Sequence, residues 1–371
     1  MTGGARPDAG FWRGRDVFVT GHTGFKGSWL SLWLASLGAR VHGYSLPPEA
    51  GGGGETPLFL SAGVREVLAS HVEADIRDRA LLLEKWRASD AGVLFHLAAQ
   101  PLVRESYRSP YETFEVNVQG TASVLEALRL VGRPAAAVMV TTDKVYENFE
   151  EIWGRRETDP LGGHDPYSAS KAAAELVTVA YRSSFFQPAS GRPAVRVATA
   201  RAGNVIGGGD WARDRLVPDM SRALLSGREA EIRNPKSVRP WQHVLEPLAG
   251  YMMLAEFLRG DADNPLWRSA WNFGPDPLDL WPVERVADVF CRGWGEGAGW
   301  RNLAEPDAPF ETSFLHLNTD KTSLRMGWRP RWTTGEAVEK SALWYRRSVE
   351  PGFEARSACL GDVADYMAAQ K

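Results

Sequence analysis

A buried strand, a glycine turn and a helix follow one another near the start of the chain with no residue to spare between them. Asp16-Val-Phe-Val-Thr20 is a short apolar run of the kind that forms the middle of a sheet. It passes directly into Gly21-His-Thr-Gly24-Phe-Lys-Gly27, and Ser28 to Leu37 then has the apolar density of a helix packed on that sheet. Glycines let the main chain turn sharply and come close to a pyrophosphate, and the first turn of a helix offers free N–H groups and the positive end of its dipole. The spacing is G-x-x-G-x-x-G rather than G-x-G-x-x-G. Between a strand and a helix it predicts a dinucleotide cradle formed by Gly21, Thr23, Gly24, Phe25 and Gly27.

The pattern then repeats. Ala39 to Tyr44 reads as a second strand, Val72 to Asp78 as a third ending in acids, and Gly92 to Gln100 as a fourth running into small residues. Thr113 to Leu130 is a long helix carrying Asn117, Ala135 to Thr142 a fifth strand, and Val195 to Ile206 a sixth. Strands that alternate with helices imply an α/β fold with a doubly wound, Rossmann-like parallel sheet. Residues 1–10 read as a loose tail, 11–206 as the cofactor-binding unit to which 238–258 returns, and 207–237 with 259–371 as a smaller mixed substrate lobe. Ligands in such sheets lie beyond the carboxyl ends of the strands. That places Asp75, Ile76, Leu97, Ala98 and Ala99 against the cofactor, with Asn117 close by. For Asp75, capping of the Arg79–Arg87 helix is an equal alternative. An acid that would hold a ribose 2′-hydroxyl is missing after the second strand, where Tyr44, Ser45 and Leu46 stand, so NAD and NADP both remain open at this point.

Two clusters carry chemistry. The fifth strand ends in Thr142-Asp143-Lys144, which sets a hydroxyl, an acid and an amine side by side. Asp165-Pro-Tyr-Ser-Ala-Ser-Lys171 follows, with Pro166 suited to the first turn of a helix. Tyr167 and Lys171 then share one helix face, and an ammonium beside a phenol favours the phenolate, a general base for a sugar hydroxyl. Downstream, Arg213, Arg215, Arg222, Arg228, Arg233, Lys236 and Arg239 crowd one region of a chain whose net charge is −3. Local cations in a slightly acidic protein predict a phosphorylated ligand, while the overall charge gives no reason to expect nucleic acid or an anionic membrane. The two cysteines form no framework, which suits a reducing cytoplasm, and no apolar run is long enough to span a bilayer. The histidines are scattered, without metal-ligand spacing. Most of the 15 tryptophans are expected in packing, with a few at a pocket.

Gly21-x-x-Gly24-x-x-Gly27 together with Tyr167-x-x-x-Lys171 resembles the extended short-chain dehydrogenase/reductases, and Thr142-Asp143 ahead of the tyrosine resembles the nucleotide-sugar 4,6-dehydratases among them. Val19 to Trp29, His96 to Val103, Thr141 to Asn148, Leu161 to Lys171, Ala200 to Trp211 and Arg239 to Tyr251 look like the CDP-glucose branch, and the likeness runs from Phe11 to Trp332. The resemblance implies NAD as cofactor, CDP-glucose as substrate and a homodimer formed by the Thr113–Leu130 and Tyr167–Ser184 helices. It assigns Tyr167, Lys171 and Thr142 to the sugar 4-hydroxyl and Asp143 to the departing 6-hydroxyl. It points to Gln100, Arg104, Arg201, Asn204, Arg215 and Arg239 as substrate contacts, in a route to deoxysugars of a bacterial surface polysaccharide. Many relatives carry glutamate as the C5 base where this chain has Lys144, and Asp143 beside that lysine is expected to favour its ionised state. A nucleotide-sugar 4-epimerase would share the fold, the cofactor, Tyr167 and Lys171 without needing Asp143 or Lys144. A non-catalytic dinucleotide-binding scaffold would need none of the four.

Overall fold

Hydrogen bonds join seven strands in the order β7-β6-β5-β4-β1-β2-β3, and every neighbouring pair is parallel. They are β1 (Asp16–Thr20), β2 (Arg40–Ser45), β3 (Ser70–Glu73), β4 (Val93–His96), β5 (Ala135–Val140), β6 (Val195–Ala202) and β7 (Ala270–Phe273). The computed structural model describes residues 5–147, 151–187, 194–261, 264–303 and 314–369. Residues 1–4 of the expected tail, Asn148 and residues 304–313 lie outside the described residues.

Parallel strands covered on both faces carry apolar side chains on both, and every residue of β5 is buried. The helix Phe25–Ser36 covers one face with Trp29 and Trp33, while Leu82, Trp86, Val124 and Leu128 cover the other. Six tryptophans, including Trp12, Trp271 and Trp328, are among the largest fully buried side chains, so tryptophan serves packing as expected. The order of strands reverses between β1 and β4, whose residues pair Thr20 with His96. Their carboxyl ends bring the glycine turn and the segment after β4 together at the point where ligands enter such sheets.

Several boundaries differ from the sequence expectations. β7 comes from the stretch assigned to the lobe, and it completes the sheet against β6. The predicted strand Val195–Ile206 breaks at Gly203 and Asn204, after which Val205–Ile206 pairs with Gln242–His243. The long helix runs as Pro110–Phe114, a π-turn at Glu115–Gln119 and Gly120–Val131, and the π-turn contains Asn117. Asp78, not Asp75, caps the helix Arg79–Ala88, its carboxylate accepting from Leu81 N. Residues 5–10 do not form a loose tail: Ala5 N donates to Gly327 O, and Asp8 caps the short helix Ala9–Trp12.

Candidate active site

The carboxyl ends of the strands open into a cleft of about 1120 Å³. At one end the glycine turn meets the segment after β4. Gly21 has φ +75°, and a Cβ there would stand 2.6 Å from Ala98 N; a Cβ on Gly27 would stand 2.1 Å from Gly21 O. Only glycine fits either place. No side chain caps the helix Phe25–Ser36, so its first amides face the cleft without a partner from a capping residue. This is a cradle for an anionic group. Every residue expected at the cofactor lines this end except Asn117. Asn117 is buried and works indirectly: its Nδ2 donates to Ser170 Oγ at 2.8 Å, and its Oδ1 accepts from Gln100 N at 2.9 Å. It therefore ties the segment after β4 to the helix that carries Tyr167.

Ser45 stands where an acid would follow β2. Thr23 Oγ1 lies 2.8 Å from Ser45 Oγ and donates to Leu46 O at 2.9 Å. Arg40 sits at the opposite end of β2, its Nε 2.8 Å from Asp16 Oδ1, and Arg77 is held by Asp75 at 2.6 Å and Glu115 at 3.0 Å. Neither guanidinium is free for a ribose 2′-phosphate, so the pocket fits NAD.

The reacting end is built on the helix Pro166–Phe185. Asp165 caps it by accepting from Ser168 N at 2.9 Å, and Pro166 fills its first turn. Tyr167 and Lys171, one turn apart, are both buried at the cleft wall. Lys171 Nζ donates to Val140 O at 3.2 Å, and burial brings its pKa down to about 8. The phenol differs from expectation. Burial pushes Tyr167 up to about 12, against the opposing pull of a hydrogen bond with Thr142 and the nearby Arg215. The lysine's hydrogen bond goes to a main-chain carbonyl, and desolvation of the phenolate wins.

Asp143 also departs from expectation. Burial raises its pKa and outweighs Lys144, the Thr142 hydrogen bond, Arg239 and Lys26, all of which favour the carboxylate. Its Oδ1 accepts from Thr142 Oγ1 at 2.9 Å, while Oδ2 is buried without a hydrogen-bond partner. Tyr167, Thr142 and Asp143 thus form one connected set. Lys144 lines the cleft beside them. This arrangement can take a proton at one carbon and deliver another nearby.

Of the expected substrate contacts, Gln100, Arg104, Asn204, Arg215 and Arg239 line the cleft. Gln100 is committed elsewhere, its Nε2 donating to Thr113 Oγ1 at 2.9 Å. Arg215 is held by Asp210 at 2.8 Å. Arg201 is not in the cleft wall. It is buried against Glu175 and the Tyr146 hydroxyl: although near the carboxyl end of β6, its side chain packs towards the helix Pro166–Phe185 rather than into the opening. Two contributors escaped the sequence reading. Lys26 lines the cleft, and burial with Arg215 and Lys171 nearby brings it to about 7. Its place between Gly24 and Gly27 was the available signal. His22 fits under Gly43, where a Cβ would stand 2.4 Å from its ring, and its Nε2 is 2.7 Å from His71 Nδ1. Gly51 and Gly52 also form part of the cleft wall.

Residues 17–266 match the model of the NAD dependent epimerase/dehydratase family. A CDP-glucose 4,6-dehydratase of Salmonella typhimurium is 44% identical over 363 residues, covering 98% of this chain and 99% of that one. Among solved structures, a UDP-glucose 4-epimerase of Thermotoga maritima superposes with a TM-score of 0.75 at 20% identity, over 90% of this chain and 99% of that one. A dTDP-glucose 4,6-dehydratase of Streptomyces venezuelae, solved with NAD bound, gives 0.71 at 23% identity, again over 90% and 99%. These two share the fold.

Proposed function

The chain belongs to the NAD-dependent epimerase/dehydratase family, and we propose that within it the protein is a hydro-lyase converting CDP-glucose to CDP-4-dehydro-6-deoxy-D-glucose and water. The observation that carries this reading is Asp143, a buried carboxyl whose pKa is raised by burial and whose Oδ2 has no hydrogen-bond partner, standing at the cleft beside Thr142 and Lys144. An epimerase has no use for a proton donor there. The likeness to a CDP-glucose 4,6-dehydratase over nearly the whole chain supports the same substrate.

The glycine turn and the uncapped helix would hold the cofactor pyrophosphate, with Thr23, Ser45, Asp75 and Ile76 towards its adenosine end. The NAD held there would supply a reversible hydride acceptor for C4 and C6 of the sugar. Tyr167 is assigned the proton of the 4-hydroxyl, with Thr142 as its hydrogen-bond partner and Lys171 fixed one turn away; its phenol, pushed up to about 12 by burial, can take that role because the positive charge of a bound nicotinamide would favour the phenolate. A 4-ketone acidifies the C5 proton, and we assign its removal to Lys144, which lines the cleft beside Asp143. Asp143 delivers its proton to the 6-hydroxyl, which leaves as water; the proton held by Lys144 returns to C5 as C6 gains the hydride, and the proton taken from the 4-hydroxyl restores Asp143. Arg239 and Arg215 line the same cleft, and we assign the diphosphate to them.

The helix Pro166–Phe185 leaves Leu176, Val179 and Phe185 exposed, and Leu130 is exposed on the neighbouring helix. These support a homodimer through that face, which sedimentation would reject by finding a monomer at micromolar concentration. Among the described residues no helix is long and apolar enough to cross a membrane. The reading puts the enzyme with the cytoplasmic nucleotide-sugar pool, ahead of deoxysugar assembly for a surface polysaccharide.

Mass spectrometry of CDP-glucose incubated with the protein and NAD tests the assignment. A product lighter by one water is expected, with dTDP- and GDP-glucose as poorer substrates. An unchanged mass with inversion at C4 by NMR would make the protein an epimerase instead.

A further inference from the structure

One acidic side chain stands among the arginines at the cleft mouth with no place in the chemistry above. Asp214 Oδ1 lies 3.4 Å from an Nη1 of Arg104 and 3.5 Å from an Nη2 of Arg233. Arg104 belongs to the helix Val103–Arg108, which follows β4, and Arg233 follows the strand Ala230–Ile232 in the basic stretch. One carboxylate thus joins two cations from distant parts of the chain, and all three residues line the same cleft.

Two features of this contact bear on how it would respond to a ligand. The first is its looseness. Each arginine offers one long contact, whereas Arg222 meets Asp219 at 2.6 Å and Glu55 at 2.7 Å, and Arg215 meets Asp210 at 2.8 Å. Charge-assisted pairs in good geometry lie at about 2.7–2.9 Å, so the Asp214 contacts are the ones most easily exchanged. The second is the backbone. Asp214 has φ +59°, a left-handed conformation that costs an ordinary L-residue free energy. A glycine would hold this turn with less strain, yet an acid occupies it.

We propose that Asp214 is an internal stand-in for the substrate's diphosphate: it holds Arg104 and Arg233 across the open cleft and is displaced when a nucleoside diphosphate arrives. The inference rests on the nucleotide-sugar reading of the cleft. A diphosphate offers several oxygens and more than one negative charge, so it meets both guanidiniums more fully than a single carboxylate oxygen does. Until then the carboxylate keeps the two cations from repelling each other and rejects weaker anions.

Removing the carboxylate removes a competitor, so Asp214→Asn should bind CDP about tenfold more tightly than the wild type. Its affinity should also fall more steeply with added salt, because binding then no longer breaks ion pairs within the protein. Asp214→Glu should stay near the wild type. Asp214→Gly, which suits the left-handed turn, guards against misfolding of the asparagine variant and should show the same tightening. Isothermal titration of the full chain with CDP at two salt concentrations, with unfolding curves for each variant, reads all of this. Wild type that binds CDP, with folded Asn and Gly variants that bind it no more tightly, would overturn the inference and leave the substrate reading standing. Wild type that binds none of CDP, dTDP or GDP would overturn both.

Discussion

Glu175 grips Arg201 with both carboxylate oxygens, Oε1 at 2.9 Å from Nε and Oε2 at 2.9 Å from Nη2. Their side chains are 1% and 3% exposed. Burial works against the carboxylate, but Arg201 and the hydroxyls of Thr141 and Thr199 more than reverse it and hold Glu175 below its ordinary range. The two threonines donate to it at 2.6 and 2.7 Å. The pair fastens the helix bearing Tyr167 and Lys171 to β5 and β6. Removing one partner leaves the other charge buried and unpaired, so Arg201→Met should cost about 3–5 kcal/mol of stability. Denaturant unfolding measures it. A tenfold rise in KM for the sugar nucleotide without loss of stability would return Arg201 to the substrate.

The contrast between Arg201 and Tyr167 explains what could be read from the sequence. Gly21, Gly24 and Gly27, or Tyr167 and Lys171, act through spacings of a few residues, and backbone geometry carries such a pattern directly into space. Arg201 meets Glu175 from another element, and nothing near it in the chain names its partner. Protonation is less legible still. Lys144 beside Asp143 suggests a lowered pKa, but burial by distant segments outweighs it and raises the carboxyl instead. The loop carrying Asp214 shows the same limit: its composition announces cations, while the pairing that ties most of them up is a property of the fold. β7 was missed because Ala270-Trp-Asn-Phe273 lies far along the chain from β6, the strand it pairs with, outside the strand–helix alternation that revealed the others.

Asp143→Asn keeps the shape of the side chain and removes the proton. Dehydration should fall about 10²–10⁴-fold, while titration with CDP should give an affinity within a few-fold of the wild type. The raised pKa fixes the direction of the pH effect: the wild-type rate falls on the alkaline side as Asp143 ionises, and the variant loses that limb. Full activity of the asparagine variant would remove Asp143 from the reaction.

Lys144→Ala tests the C5 base apart from the acid. With CDP-glucose, NAD and D₂O, the wild type should place solvent deuterium at C5, and the variant should lose that exchange. NMR of the recovered sugar nucleotide shows it. Exchange retained at the wild-type rate would move the base to another residue, and Lys26, which lines the same cleft and sits at about 7, would be the next to change.

Glu256 gives a stability prediction that does not involve the active site. Its Oε1 accepts from Asp8 N at 2.9 Å and from Trp12 Nε1 at 2.6 Å, which docks the segment before β1. Burial raises its pKa from 4.5 to about 7, despite those two hydrogen bonds. A carboxyl with a raised folded-state pKa contributes stability that is fully present below 4.5 and is lost as pH rises through about 7. Ionisation of the buried group should therefore cost the folded protein about 1–3 kcal/mol by pH 8. Glu256→Gln keeps an acceptor for Asp8 and Trp12 and carries no charge at any pH. It should match the wild type near pH 4.5 and exceed it above pH 7, with a higher Tm at pH 8. Thermal unfolding of both proteins across this range supplies the comparison, and a Tm difference independent of pH would mean that Glu256 titrates alike in the folded and unfolded chains.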